Sequence, residues 1–191
     1  MEVARQKFIK VIVQIIIIAA IIALAFLLTN RVTEDELLRD LVARFGYIGA
    51  FFVAVISGIN IFVPIPAVSF LPLFIESGLN FYLTIAAIVI GVTVGDVVGY
   101  FIGKTGREFT QGSHSRILTK LTALREKYYL APLVILFLFA ALVPFPNEII
   151  VIPLAIIGYR WLQILPWILA GNTVFNVAAA LGFINLFEYF G

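Results

Sequence analysis

Cysteine is absent from the 191 residues, histidine occurs once, at His114, and only 13% of the chain is charged. Without cysteine there is no disulfide, no thiolate nucleophile and no cysteine-ligated metal, and the redox compartment stays open. No His-Glu-x-x-His zinc run and no phosphate-binding glycine loop occurs. A serine protease working inside a membrane needs a histidine at that depth, whereas His114 lies in the polar run Gly112-Ser113-His114-Ser115. An intramembrane aspartyl protease needs two membrane aspartates. Asp96 stands in an apolar run, but Asp35 and Asp40 are both in a polar one. These absences argue against an enzyme, and neither a cofactor nor a metal is expected. The net charge of +2 is small, and no nucleic-acid partner is expected.

Apolar residues are abundant: 62% of the chain is hydrophobic, with a mean hydropathy of +1.10. A soluble domain of this size has no use for so much apolar surface, and the long unbroken runs are those of helices rather than barrel strands. The chain is expected to be an all-α polytopic membrane protein forming one membrane domain over residues 1–191. Its partners would then be membrane lipids, with protons or cations as candidate coupling partners. Homo-oligomerisation is left open.

Residues 1–28 begin with Arg5, Lys7 and Lys10 and continue into an apolar run broken only by Gln14. The run is longer than a signal-peptide core and lacks a small-x-small cleavage site after Leu28, so a retained N-terminal helix is expected. Residues 29–45 are polar. Thr33 and Glu36 are spaced as a capping box, predicting a short amphipathic connector helix from Glu34 to about Arg44.

Residues 46–75 are about 30 apolar residues broken by Pro64 and Pro66, too many for one straight span and too few for two. They fit a re-entrant hairpin. Residues 81–103 read as an uninterrupted span carrying Gly91, Gly95, Gly99 and Gly103, a stripe that lets another backbone approach closely, with Asp96 beside it. Residues 104–128 form a basic loop. A second apolar run, 129–157, is broken by Pro144 and Pro146, and the last span contains Asn172 and Asn176.

Sliding the chain along itself until Pro64 falls on Pro144 also places Pro66 on Pro146, Gly78 on Gly158, Gly91 on Gly171 and Asp96 on Asn176. Two repeats follow, 46–103 and 129–191, each a hairpin plus a transmembrane helix. A hairpin crosses the membrane zero net times and the helix crosses once, so the second repeat is inverted relative to the first. With the N-terminus and the 104–128 loop cytoplasmic, ten Lys and Arg lie on that side and three, Arg31, Arg39 and Arg44, on the other, as the positive-inside rule expects. Inverted repeats with broken helices are the architecture of secondary transporters, whose sites lie near the midplane.

Glycine-aspartate-x-x-glycine-tyrosine-x-x-glycine-lysine, here Gly95-Asp96 to Gly103-Lys104 followed by Gly106-Arg107, resembles a motif of the DedA family, also called the VTT or SNARE-associated membrane proteins. Pro144-Phe145-Pro146-Asn147-Glu148 is similar to that family's hairpin motif. In the first hairpin, Ala67 and Val68 stand where an acidic residue would follow. The resemblance, over residues 45–176, implies two re-entrant hairpins and lipid movement between leaflets: phospholipid scrambling or recycling of polyprenyl-phosphate carriers.

Glu148, Asp96, Asn147, Asn172 and Asn176 are therefore expected to line a polar groove at the hairpin tips that binds a lipid headgroup, a cation or a proton. An ionisable group at membrane depth is costly unless it meets water, a partner or a proton. Lys104 and Arg107 are expected to hold phosphates at the cytoplasmic interface, or to serve topology alone. The four prolines shape the hairpins. Two other readings are an ion- or proton-coupled transporter of a small solute, and a non-transporting scaffold that recruits partners through the basic loop.

Overall fold

The computed structural model describes residues 2–59, 66–106 and 116–190, and these are helical throughout apart from turns. Pro64 and Arg107 lie outside the described residues. The helices are α1 (Glu2–Glu34), α2 (Glu36–Gly58), α3 (Leu71–Glu76), α4 (Phe81–Gly106), α5 (Arg116–Lys127), α6 (Ala131–Leu142), α7 (Glu148–Ile156) and α8 (Trp161–Phe190). A 3-10 turn, Ala67–Phe70, leads into α3. Among the described residues, four helices are long and apolar enough to cross a membrane: Ile15–Glu34, Glu36–Gly58, Phe81–Gly106 and Trp161–Asn185. The chain thus has the helices of an integral membrane protein.

The amphipathic connector forms the first part of α2, from Glu36 to the kink at Gly46, with its start at Glu36 instead of the Glu34 that the capping-box reading gives. α1 continues to Glu34, and α2 begins one residue after Asp35, whose carboxylate accepts from the backbone N–H groups of Leu37 and Leu38 at 3.0 and 3.2 Å. Asp35 is thus the N-cap. Thr33 instead turns its hydroxyl back to the carbonyl of Asn30. Aspartate caps better than threonine, and it sits one turn ahead of the leucine-rich face. Gly46, at φ 51° and ψ −142°, bends α2 where the polar stretch gives way to the apolar run.

The turns before α4 and α8 are alike. Gly78 (φ 91°) and Gly158 (φ 95°) stand in left-handed backbone that a side chain disfavours. In both, the glycine N–H bonds the carbonyl three residues back, and the next N–H bonds the carbonyl five residues back: Leu79 to Phe74 at 3.1 Å, Tyr159 to Leu154 at 3.0 Å. α4 and α8 then begin at Phe81 and Trp161, in the same register that carries Gly78 onto Gly158.

α4 is the central helix, packing on α2, α7 and α8. Its glycines recur every fourth residue, and a helix turns about 3.6 residues at a time, so each step rotates about 40° around the axis. The stripe therefore serves two neighbours instead of one. A Cβ on Gly91 would lie 2.5 Å from the Phe51 carbonyl oxygen, and one on Gly95 would overlap the Gly58 backbone; both face α2. A Cβ on Gly99 would meet Glu148 Cγ at 2.5 Å, and one on Gly103 the Ile152 carbonyl oxygen at 2.7 Å; both face α7. On α8, Gly171 seats α6 at Phe137 and Ala140.

Two apolar cores result. One joins α2, the 3-10 turn, α3 and the first half of α4 to Ala180 of α8; the other joins α6, α7 and the start of α8 to Tyr100 of α4. α4 thus packs on α2 and α7, and α8 packs on α6 and on the 3-10 turn with α3. Between the two cores, where α4 and α8 meet, both helices carry polar residues.

Candidate functional site

Asp96 follows Ile88 and Val89 of the first core and precedes Tyr100 of the second; Asn172 and Asn176 lie between Ile168 and Ala180. These polar positions therefore face each other at mid-helix. Asn172 Nδ2 donates to Asp96 Oδ2 at 2.9 Å and to Thr93 Oγ1 at 3.1 Å. Asn147 Nδ2 donates to Asn172 Oδ1 at 2.9 Å and reaches Asp96 Oδ2 at 3.4 Å. Asn176 Nδ2 donates to the Asn172 carbonyl at 2.8 Å.

The proline break supplies the remaining members. α6 ends at Leu142, Val143 is extended (φ −110°, ψ 119°), and Pro144 to Asn147 form a turn before α7 begins at Glu148. Pro144 and Pro146 both lack the N–H a continuing helix uses, and the helix stops ahead of them. Glu148 occupies the first turn of α7, where the helix dipole favours an anion. That position alone does not account for a carboxyl only 4% exposed. Gly99 leaves the space its side chain fills.

Asp96, Asn147, Glu148, Asn172 and Asn176 all line one cavity of about 140 Å³, together with Pro66, Pro144 and Pro146 from the two breaks. That volume accommodates several waters. Two buried oxygens, Asp96 Oδ1 and Glu148 Oε1, have no hydrogen-bond partner among the described residues. Both carboxyls line the same cavity. Buried charge left alone costs far more than a hydrogen bond returns, so these oxygens call for a proton, a cation or a donor-bearing ligand.

No family model, curated protein or solved structure matches the chain.

The cavity gathers all five polar residues that the sequence pattern singles out, but not Lys104. Lys104 is exposed near the end of α4, about 12 Å along the helix from Asp96, with Nζ 6.0 Å from the Phe101 ring centre. Eight positions make just over two turns, and lysine's length cannot bring it back to mid-helix.

Thr93 joins the network without being one of those expected site residues. Its signals in the sequence are its place one turn before Asp96 and its match to Thr173 when the chain is slid along itself by 80 residues. A second cluster joins Tyr100, the tyrosine of the Gly-Asp-x-x-Gly-Tyr run, to residues without a sequence signal. The Tyr100 hydroxyl donates to the Tyr159 carbonyl at 3.2 Å, the Tyr159 hydroxyl donates to the Tyr129 carbonyl at 2.5 Å, and Arg125 donates to the carbonyl of Ile157. The Arg125 guanidinium lies 4.8 Å over the Tyr159 ring. This cluster closes the end of α7 and the turn into α8.

Proposed function

We propose that the protein moves lipids between membrane leaflets through the polar cavity at the two proline breaks, as a member of the DedA family, with two inverted hairpin-plus-helix repeats. The observation that carries this reading is the cavity itself: five buried polar side chains and two unpartnered carboxyl oxygens gather where broken helices meet mid-length spans. In hydrocarbon, unpaired backbone and ionisable groups persist only where they line a protein-enclosed or watered path.

Helix lengths support the second hairpin. α6 and α7 have 12 and 9 residues, about 18 and 14 Å, each well short of a ~30 Å hydrocarbon core. An arm pair that turns at Pro144–Pro146 and leaves on the side it entered suits those lengths. The like turns at Gly78 and Gly158, and the exchange of second arms between halves, support the repeat. The excess of basic residues in the N-terminus and the 104–128 loop supports a cytoplasmic side for both under the positive-inside rule. In this mechanism the headgroup passes through the cavity while the chains stay in the bilayer.

A second reading, a transporter coupled to protons or cations, draws on the same two unpartnered oxygens, which suit a small cation.

The test is lipid flip in proteoliposomes holding a fluorescent-headgroup phospholipid, with outer-leaflet label quenched chemically. Wild type is expected to expose label well beyond the outer half, and Glu148→Gln and Asp96→Asn to slow that exposure. Quenching that halts at half with folded wild-type protein rejects unassisted phospholipid translocation.

A further inference from the structure

A second cavity adjoins the polar one. It has about 310 Å³ of space and is lined by apolar residues only: Ile18 and Ile22 of α1, and Phe175, Ala179, Gly182 and Phe183 of α8 among them. Ile18, Pro66, Pro144 and Phe175 line both spaces, so the two are continuous. From Phe175 to Phe183 the groove follows α8 for about 12 Å, close to the ~15 Å depth of one leaflet's hydrocarbon.

The hydrogen-bonding capacity of the polar cavity is one-sided. Asn147, Asn172 and Asn176 carry six amide N–H bonds, two each, and five are donated within the cluster, to Asp96, Asn172 and Thr93. Two carboxyl oxygens remain as unused acceptors. Neither Lys nor Arg lines the cavity among the described residues. A bare phosphate would meet few donors and two carboxyls. A primary ammonium brings three donors and a positive charge, which matches what is left unsatisfied.

We propose that the two spaces together seat one amphiphile: an ammonium-bearing lipid head in the polar cavity, and one of its chains in the groove between α1 and α8. The assignment rests on the lipid reading above and adds to it the class of headgroup and the side from which the lipid enters. Asp96 Oδ1 and Glu148 Oε1 accept from the ammonium. The chain leaves between Ile18 and Phe175, so α1 and α8 frame the lateral opening.

The experiment is lipid competition on the purified full chain in detergent, read by native mass spectrometry. The probes are phosphatidylethanolamine, phosphatidylcholine and phosphatidic acid with identical chains, and free ethanolamine. Phosphatidylethanolamine is expected to outcompete the other two lipids by about tenfold or more, the worth of a charge-assisted hydrogen bond. Glu148→Gln and Asp96→Asn are expected to erase that preference. A Cβ at Gly182 meets open space, so Gly182→Leu fills the groove without disturbing packing and is expected to weaken all three lipids alike. The headgroup comparison on wild type and the Gly182→Leu result decide the matter even where a carboxyl variant fails to fold.

Equal retention of the three lipids, or preference for phosphatidic acid, overturns the headgroup assignment. Ethanolamine binding with no lipid preference and no effect of Gly182→Leu overturns the chain seat. The flip assay separates this from the broader reading. Flip without headgroup preference leaves translocation standing and rejects the ammonium seat. Preference without flip keeps the seat and rejects translocation.

Discussion

Asn172 on α8 donates one amide hydrogen to Asp96 and the other to Thr93, joining α8 to α4 across 76 and 79 residues of chain. Its carbonyl oxygen accepts from Asn147 at the proline break. One side chain thus ties together three segments. Asn172→Leu removes all three bonds and leaves Asp96 only the longer bond from Asn147, whereas Asn176→Ala removes one bond to a backbone carbonyl. Interhelical hydrogen bonds in membranes are worth about 0.6 to 2 kcal/mol each. Asn172→Leu is expected to cost about 2 kcal/mol or more, and Asn176→Ala about 1 kcal/mol or less, by reversible unfolding in mixed micelles. Equal losses would show that the Asn172 network carries no special weight.

The glycines of α4 should differ in what their replacement destroys. Gly95→Ala drives a methyl into the Gly58 backbone, where little can yield, so folding yield should fall sharply. Gly99→Ala meets the Glu148 side chain instead, which can swing away. That variant should fold with a smaller loss, about 1 kcal/mol, yet flip lipid as poorly as Glu148→Gln. Gly99→Ala with wild-type flip would show that the Glu148 position is unimportant.

Lys104 is exposed and about two turns from the cavity. Lys104→Ala should leave flip and headgroup preference within about twofold of wild type, a change of about 0.4 kcal/mol. A larger loss in the flip assay would return the end of α4 to the site.

Tyr159, in the turn outside the spans, supports an alkaline prediction. It is almost wholly buried, and that burial pushes its phenol above its ordinary value, with nearby Arg125 opposing. The folded state therefore holds the proton more tightly than the unfolded one. The stability this contributes is complete below about pH 10 and fades as pH rises through the folded value. Tyr159→Phe loses the hydroxyl's bond to Tyr129, about 1 kcal/mol at neutral pH, but should show a shallower alkaline decline. Thermal unfolding between pH 8 and 11 makes the comparison, and parallel declines would assign the alkaline loss to other groups.

Chain order alone established the class and the polar inventory. Apolar runs of membrane length are set by composition, and two prolines spaced as Pro-x-Pro weaken a helix locally, because each lacks an N–H; single prolines at Pro153 and Pro166 stay inside α7 and α8. Asp96, Glu148 and the asparagines stand out because hydrocarbon tolerates such groups only with a partner or a purpose. The turns at Gly78 and Gly158 are legible for the same local reason. What folding in three dimensions decided was pairing. The drift of the glycine stripe around α4 sends Gly95 to Gly58 and Gly99 to Glu148. The capping competition at the start of α2 went to Asp35 over Thr33. Which amide satisfies which carboxyl, and which oxygens stay free, depends on how α4, α8 and the proline break converge. Segments so far apart in the chain acquire those distances only once packed. The apolar groove beside the cavity is likewise a property of α1 against α8, and no single run of the sequence contains it.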